Sequence, residues 1–377
     1  MKIGIVACSA NLMNKTGVEW YTYYLIEALK KIHLSNKKDL FILYSAKTLK
    51  GKLALIPNQQ WANLVLSWPF SFAWTQIKLS WEMLKNMPDL LFVPGHVLPF
   101  VHPHQSINTC HDLGFLRYPQ FYSYWQRQYL NWSIRYAIKR ASTIITISQF
   151  TKQELISTYH LNSDKVKVIY LGYDQQLYHP IQDKTKIKQV LNKHNINQPY
   201  FLYLGRLEKK KNIANLIKGF ELFQQKQQIN KRHQLVLAGK PGYGYTDFSN
   251  QLKQNQHILE LGYCQQADLP YLYAGATAFV FPSWYEGFGM PLLEAAACQT
   301  PILASDIPST KEIIKSGALY FNPHQPMELA QLMNKIITDR QLAPQLIDLN
   351  NQRIKQFSWE KCAQQTLNLL TTNNETR

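Results

Sequence analysis

Ala278-Phe279-Val280-Phe281-Pro282-Ser283-Trp284-Tyr285-Glu286-Gly287-Phe288-Gly289-Met290-Pro291-Leu292-Leu293-Glu294-Ala295 reads as a strand, a glycine-bearing loop and the start of a helix. The run Ala278–Phe281 is apolar at every position, as a strand covered by helices on both faces reads. Pro291 suits the first turn of a helix, where its missing N–H costs nothing. Gly287 and Gly289 allow backbone amides to approach a ligand closely. Unpaired N–H groups at a helix start favour an anion such as a pyrophosphate. Glu286 stands before the glycines and Glu294 about one turn inside the helix, so both are candidates to face one ligand. A carboxylate accepts hydrogen bonds from sugar hydroxyls, as the acidic residue of a dinucleotide site does with ribose. A capped helix with Glu294 on its surface explains the same spacing.

The same unit recurs outward from this stretch. Short runs rich in Val, Ile and Leu at Lys2–Cys8, Leu40–Tyr44, Asn63–Ser67, Leu90–Val93, Ser106–Cys110, Thr143–Ile147 and Val166–Tyr170 form one series. A second series is Tyr200–Leu204, Gln234–Ala238, Ile258–Leu261, Pro301–Ala304 and the run already quoted. Between them lie helical patterns such as Val18–Ile32 and Ile213–Phe223, whose apolar residues share one face. Strand and helix alternating in two series predict α/β architecture with two doubly wound domains. The length of 377 residues agrees with two domains. The break is expected between Gly172 and Pro199, where Tyr178-His179-Pro180 interrupts the pattern, and Thr371–Arg377 reads as a frayed polar tail.

Three further stretches fall where α/β sheets bind ligands, beyond the carboxyl ends of strands. Gly205-Arg206 with Lys209-Lys210-Lys211-Asn212 offers a planar guanidinium fork and a mobile ammonium for phosphate oxygens. For Lys209 and Lys210 a solvated turn is the preferred reading. His111-Asp112 follows an apolar strand, as a sugar-contacting histidine or as a packed one beside a helix cap. Asn14-Lys15-Thr16-Gly17 links the first strand to the first helix, and Gly17 leaves room for a phosphate or a plain turn. The chain has no G-x-G-x-x-G, G-x-x-x-x-G-K-[ST], D-x-D or G-x-S-x-G and no zinc-like pairing of histidines.

Charge and composition set the outer bounds. Net charge is +17, with +10 in residues 1–180 and +7 in the rest, a field that favours anionic partners without choosing among them. Five scattered cysteines without a C-x-x-C pair fit reduced thiols in a cytosolic chain rather than a disulfide framework or zinc site. No secretory signal and no 18-residue apolar span are present. Trp61, Trp68, Trp74 and Trp81 near Lys78 and Lys85, and Tyr122–Arg140 with Arg127, Arg135, Lys139 and Arg140, read either as core or as a headgroup interface.

In this order the stretches resemble the retaining GT-B glycosyltransferases of family GT4. Glu286 and Glu294 match that family's E-x7-E motif, and Gly205-Arg206 with Lys211-Asn212 its GR…KN motif. Ser148-Gln149-Phe150-Thr151, Val168–Asp174, Leu237-Ala238-Gly239 and Phe357-Ser358-Trp359-Glu360 extend the resemblance over nearly the whole chain. His111–Leu116 and Thr75-Gln76 look most like bacterial mannosyltransferases of polysaccharide assembly. The resemblance implies two Rossmann-like domains facing a central cleft. Residues 1–178, with a terminal helix 359–377 packed back on them, would take the acceptor, and residues 179–358 the nucleotide sugar.

It further implies that Arg206 and Lys211 bind the donor diphosphate and Glu294 the ribose. Glu286 and the backbone of Gly287, Phe288 and Gly289 would hold the donor sugar. The helix start at Gly17 would face the phosphates, and His111 would join Glu286 at the reacting centre. No metal and no cofactor are expected, the nucleotide sugar being a co-substrate. GDP-mannose is the first donor expected, with UDP- or dTDP-sugars open, and the acceptor is a lipid-linked or oligosaccharide intermediate of a surface polysaccharide. The expected place is the cytoplasm, with peripheral contact to the anionic inner face of the plasma membrane as an open option. An epimerase of the same fold is the rival enzyme. A nucleic-acid-binding protein is supported by charge alone, without zinc-finger, RRM-like or helix-turn-helix signatures, so no nucleic-acid partner is expected.

Overall fold

The computed structural model describes residues 1–13, 15–34, 36–70, 72–225 and 233–372. Asn14 of the first loop and residues 373–377 of the expected polar tail lie outside them. The chain divides into two units, Met1–Gly172 with Phe357–Arg377, and Tyr173–Gln356.

The first unit holds a seven-stranded, all-parallel sheet. Its strands are β1 (Lys2–Val6), β2 (Leu40–Ser45), β3 (Trp61–Val65), β4 (Leu90–Val93), β5 (Gln105–Cys110), β6 (Thr143–Thr146) and β7 (Val166–Val168). Their order across the sheet is β3-β2-β1-β4-β5-β6-β7. The second unit holds β8 (Tyr200–Leu204), β9 (Gln234–Ala238), β10 (Ile258–Gly262), β11 (Ala278–Phe281), β12 (Ile302–Ser305) and β13 (Ala318–Phe321), ordered β10-β9-β8-β11-β12-β13 and again all parallel. Strands β4 and β11 are buried at every residue, as expected for strands sandwiched between helices. Strand order reverses between β1 and β4 in one sheet and between β8 and β11 in the other. Those are the points where loops diverge and leave a crevice at the carboxyl edge.

Phe201, Tyr203, Leu216, Ile217, Phe220, Leu235, Leu237 and Met333 pack into one core on a face of the second sheet. The helix Ile213–Gln224 provides the apolar stripe read from the sequence. Strand β13 was not among the expected strands. It is a four-residue edge strand, Ala-Leu-Tyr-Phe, apolar throughout but half-buried at two positions, and a run that short reads equally well as part of a helix.

The division falls at Gly172 and Gln356 rather than at 178 and 358, and packing explains both shifts. Tyr178 is buried and sets its ring against Tyr273 of the second unit, 6.0 Å between centroids. Phe357 meets Tyr170 of the first unit at 5.6 Å. The terminal helix Trp359–Thr372 lies against the helix Gly17–Lys31 within the first unit, with Trp359 stacked on Tyr24 at 5.3 Å. Gly172 makes the approach possible, since a Cβ there would come within 2.2 Å of the Trp359 nitrogen. All five cysteines are free thiols, four of them buried, and burial pushes Cys8 up to about 12.

Candidate functional site

The two loops that leave the sheet at the reversal between β8 and β11 carry the charged residues. The first runs from Gly205 to Asn212. It is held by the Tyr203 hydroxyl, which donates to the Arg206 carbonyl at 2.8 Å, and by Leu207 N–H to the Lys240 carbonyl at 2.9 Å. Asn212 ends it in a left-handed conformation (φ 59°), which asparagine tolerates better than most residues. Its buried amide donates to the carbonyls of Pro282 and Pro323, 3.0 Å each, and so ties this loop to those after β11 and β13.

The second loop runs from Pro282 to Gly289. Trp284 N–H donates to the Lys210 carbonyl at 3.2 Å, clamping the two loops together. Lys211 Nζ pairs with Glu286 Oε1, and Ser283 Oγ donates to the same oxygen at 2.7 Å. Both charges are largely withdrawn from water, so the pair is fixed in place rather than solvated. Arg206 differs. Its side chain is 53% exposed and its Nε lies 3.7 Å from Glu208 Oε2, leaving most of its donors turned to solvent. Lys209 pairs with Asp247 on the helix Thr246–Gln254, the two side chains 41% and 47% exposed, so it stands in the solvated turn expected of it.

Gly287, Phe288 and Gly289 are all buried. Gly289 caps the helix Met290–Ala297 at φ 98°, and a Cβ on it would meet Leu292 at 2.9 Å and Phe281 at 3.2 Å. Only glycine fits there without strain. Glu294, one turn in, accepts from the Tyr273 hydroxyl at 3.0 Å. Burial pushes its carboxyl up to about 7; the Tyr273 hydrogen bond acts against this and the charge of Asp174 adds to it. A carboxyl balanced near neutrality can accept from a ligand hydroxyl once ionised.

In the first unit, His111 and Asp112 stand just beyond β5. His111 is buried, with Nε2 2.9 Å from the Pro94 carbonyl and its ring edge-on to Tyr21 (4.9 Å) and His96 (5.3 Å). A carbonyl only accepts, so Nε2 carries the proton and Nδ1 of the neutral ring is an acceptor. Burial holds the imidazole below its usual value, against the Pro94 bond and the Asp112 charge. Asp112 Oδ1 accepts from Gly114 N–H at 2.8 Å, just before the short helix Gly114–Arg117, whose N-cap is Leu113. Gly17 opens the helix that carries Tyr21, and a Cβ on it would meet no atom within 4 Å. Thr16 N–H donates to Glu19 Oε2 at 2.8 Å, half of a capping box.

Lys211 and Glu286, chosen from separate motifs, thus meet directly, and Gly287, Phe288, Gly289 and Glu294 continue from the same loop. Gly17 and His111 share a different sheet edge through Tyr21. Sequence reading passed over Asn212 as a loop clamp, Ser283 as a partner of Glu286 and Tyr273 as a partner of Glu294. Only Asn212 had a local signal, its place in the Lys211-Asn212 motif.

Residues 15–177 match the Glycosyltransferase Family 4 domain and residues 183–353 the Glycosyl transferases group 1 domain. The chain is 29% identical over 292 residues to O-antigen chain mannosyltransferase B of Escherichia coli, covering 76% of this chain and 75% of that one. It is 29% identical over 288 residues to O-antigen chain mannosyltransferase RfbU of Salmonella typhimurium, 74% and 73% of the two chains. Its fold is similar to the crystal structure of Anabaena HepE in complex with UDP-glucose, with a TM-score of 0.76 at 19% identity over 99% and 100% of the two chains. With two Rossmann-like units and both of these domains matched in order, the chain belongs to the family 4 glycosyltransferases of GT-B fold.

Proposed function

We propose that this chain transfers mannose from GDP-mannose, with retention and without a metal, to a lipid-linked or oligosaccharide acceptor in the building of a surface polysaccharide. The observation that carries the reading is the meeting of Lys211 and Glu286 at the strand-order reversal of the second sheet, on the loops that also carry Arg206 and lead into the helix of Glu294. The two O-antigen mannosyltransferases among the relatives support the choice of sugar.

The leaving group is a nucleoside diphosphate, on which negative charge grows as the glycosidic bond breaks. Arg206, with its donors facing solvent, and Lys211 would stabilise that charge, with the amides around Gly289. Glu286 holds Lys211 ready and would orient the sugar. Glu294 would accept from the ribose, and Gly17 would admit the phosphates. His111, its Nδ1 free to accept, would take a hydroxyl near the reacting carbon. A retaining glycosidase places two carboxylates astride the sugar; no such pair is assigned to this chain. The acceptor oxygen would attack the anomeric carbon from the side the phosphate leaves, its proton passing to the departing phosphate oxygen.

A thermal-shift series with GDP-mannose, GDP, UDP-glucose and a dTDP-sugar tests the donor, because a ligand that binds only the folded state raises the melting temperature. GDP-mannose is expected to stabilise most. A larger shift with UDP-glucose overturns the donor, and no shift with any of them overturns the site. An inverted anomeric signal in the product by NMR would overturn retention.

A further inference from the structure

The first unit exposes an apolar face that its core does not use. The segment Trp74–Lys85 turns Trp74, Leu79 and Met83 into the core. On its other side stand Ile77, Trp81 and Leu84, spaced four and three apart and 54%, 55% and 64% exposed. The segment is joined to the loop that carries Phe100: Gln76 Nε2 donates to the Leu98 carbonyl at 3.0 Å, and Val101 N–H to Ser80 Oγ at 3.3 Å. Phe100, itself exposed, sets its ring 5.7 Å from Trp132 on the helix Tyr124–Arg140. That helix continues the face through Tyr129 to Trp125, which is 80% exposed.

The charges around this face are mostly positive. The helix Tyr124–Arg140 contains Arg127, Arg135, Lys139 and Arg140 and no acidic residue, and Trp74–Lys85 contains Lys78 and Lys85 against Glu82 alone. Lys85 Nζ lies 5.1 Å over the Trp81 ring and Arg127 5.9 Å from the Tyr124 ring, so cation and aromatic ring are presented together. Apolar side chains bordered by Trp, Tyr and a surplus of Lys and Arg suit the headgroup layer of an anionic bilayer. Two copies meeting through this face would set like charges against each other.

We propose that this face, from Ile77, Trp81 and Leu84 through Phe100 to Trp132 and Trp125, is a docking surface for an anionic lipid bilayer. The proposal deepens the reading of a lipid-linked acceptor and rests on it for its purpose: docking would hold the first unit where such an acceptor is embedded. Trp61 and Trp74 take no part. Trp61 is buried and stacked on Phe41 at 4.8 Å, and Trp74 is buried with its Nε1–H donating to the Leu66 carbonyl. Of the four tryptophans read from the sequence as one cluster, these two are core.

The test is flotation of the full chain with vesicles of equal parts phosphatidylcholine and phosphatidylglycerol, and with pure phosphatidylcholine. The chain is expected to float with the anionic vesicles. Ile77→Ser/Trp81→Ser/Leu84→Ser is expected to lower vesicle partition by more than about tenfold. Lys78→Glu/Lys85→Glu, which leaves Ile77, Trp81 and Leu84 in place, is expected to lower it by about fivefold or more per site at low salt. Both variants should keep the parent melting temperature and its shift with GDP-mannose. Absence of flotation overturns the proposal. So does a wild-type dimer in sedimentation that the triple serine variant turns into a monomer, since a second copy would then occupy the face. Flotation without any nucleotide-sugar shift would leave docking in place and overturn the nucleotide-sugar site, whereas flotation with a larger UDP-glucose shift would strike only the donor.

Discussion

Seventeen of the twenty-one large apolar side chains that stand exposed among the described residues belong to the first unit and four to the second. Yet both units are all-parallel sheets with one strand-order reversal each. At that reversal the second unit sets a charged pair with little exposure, Lys211 with Glu286, between its two loops. The first has a buried histidine at its sheet edge and spreads exposed aromatic rings over its helices. One scaffold therefore supports two kinds of surface, because loops and helix faces can change while the buried strands stay as they are. Under the proposed function Arg206 and Lys211 of the second unit act at phosphates, whereas at the exposed face of the first unit Lys85 and Arg127 lie against rings.

The comparison breaks most sharply at Lys211. Arg206→Ala and Lys211→Met are each expected to lower kcat/KM for donor turnover by about 100- to 1000-fold, the size of effect seen when one group stabilising developing charge is lost. Lys211→Met also leaves the Glu286 carboxylate without its cation, at a cost of about 2 kcal/mol in urea unfolding. Adding Glu286→Gln should restore that stability and leave turnover as low as before. If stability returns and turnover returns with it, the pair is scaffolding, and the two units differ less than their charges suggest.

Gly289→Ala comes next. The left-handed φ and the 2.9 Å approach to Leu292 predict a loss of about 2 kcal/mol and a lower melting temperature. A neutral result would mean the loop relaxes, and the helix start would then be a weaker anion site than its geometry implies. His111→Gln sharpens the comparison from the other side. It is expected to lower kcat by about tenfold while the GDP-mannose thermal shift stays at the parent value. A lower melting temperature with unchanged kcat would make His111 a packing residue and leave the chemistry to the second unit.

Most of the architecture is legible in the sequence because inner parallel strands are apolar on both faces. Leu90–Val93, Tyr200–Leu204, Gln234–Ala238 and Ala278–Phe281 stand where the runs place them. The edge strand Ala318–Phe321 is as apolar as these, but a four-residue run is ambiguous between strand and helix. The candidate site is legible as pieces and not as contacts. Lys211 and Glu286 are joined only by strand order, and Asn212 bridges to Pro323 across three strands. The tryptophans show the same limit. Trp74 and Trp81 are seven residues apart, yet one is core and the other surface, because Trp74–Leu79 is π-helical and shifts which positions share a face.

The smallest effect expected is at Glu294, and its sign is fixed by the direction of its shift. The carboxyl sits at about 7 in the folded chain, above its ordinary 4.5, chiefly through burial. Between those values the folded state holds a proton the unfolded chain has lost, so its contribution to stability is full below the ordinary value and fades as pH rises through about 7. Ribose hydroxyls donating to the carboxylate would favour its ionised form. Nucleotide binding is then expected to release protons and to strengthen severalfold from about pH 6 to about pH 8. Glu294→Gln should flatten both the stability slope and the affinity slope. Calorimetry in buffers of different ionisation enthalpy counts the protons directly. If the variant loses the stability slope while the affinity slope and the released protons persist, Glu294 serves only Tyr273. The nucleotide would then be held at this sheet edge by the Arg206 and Lys211 cations alone.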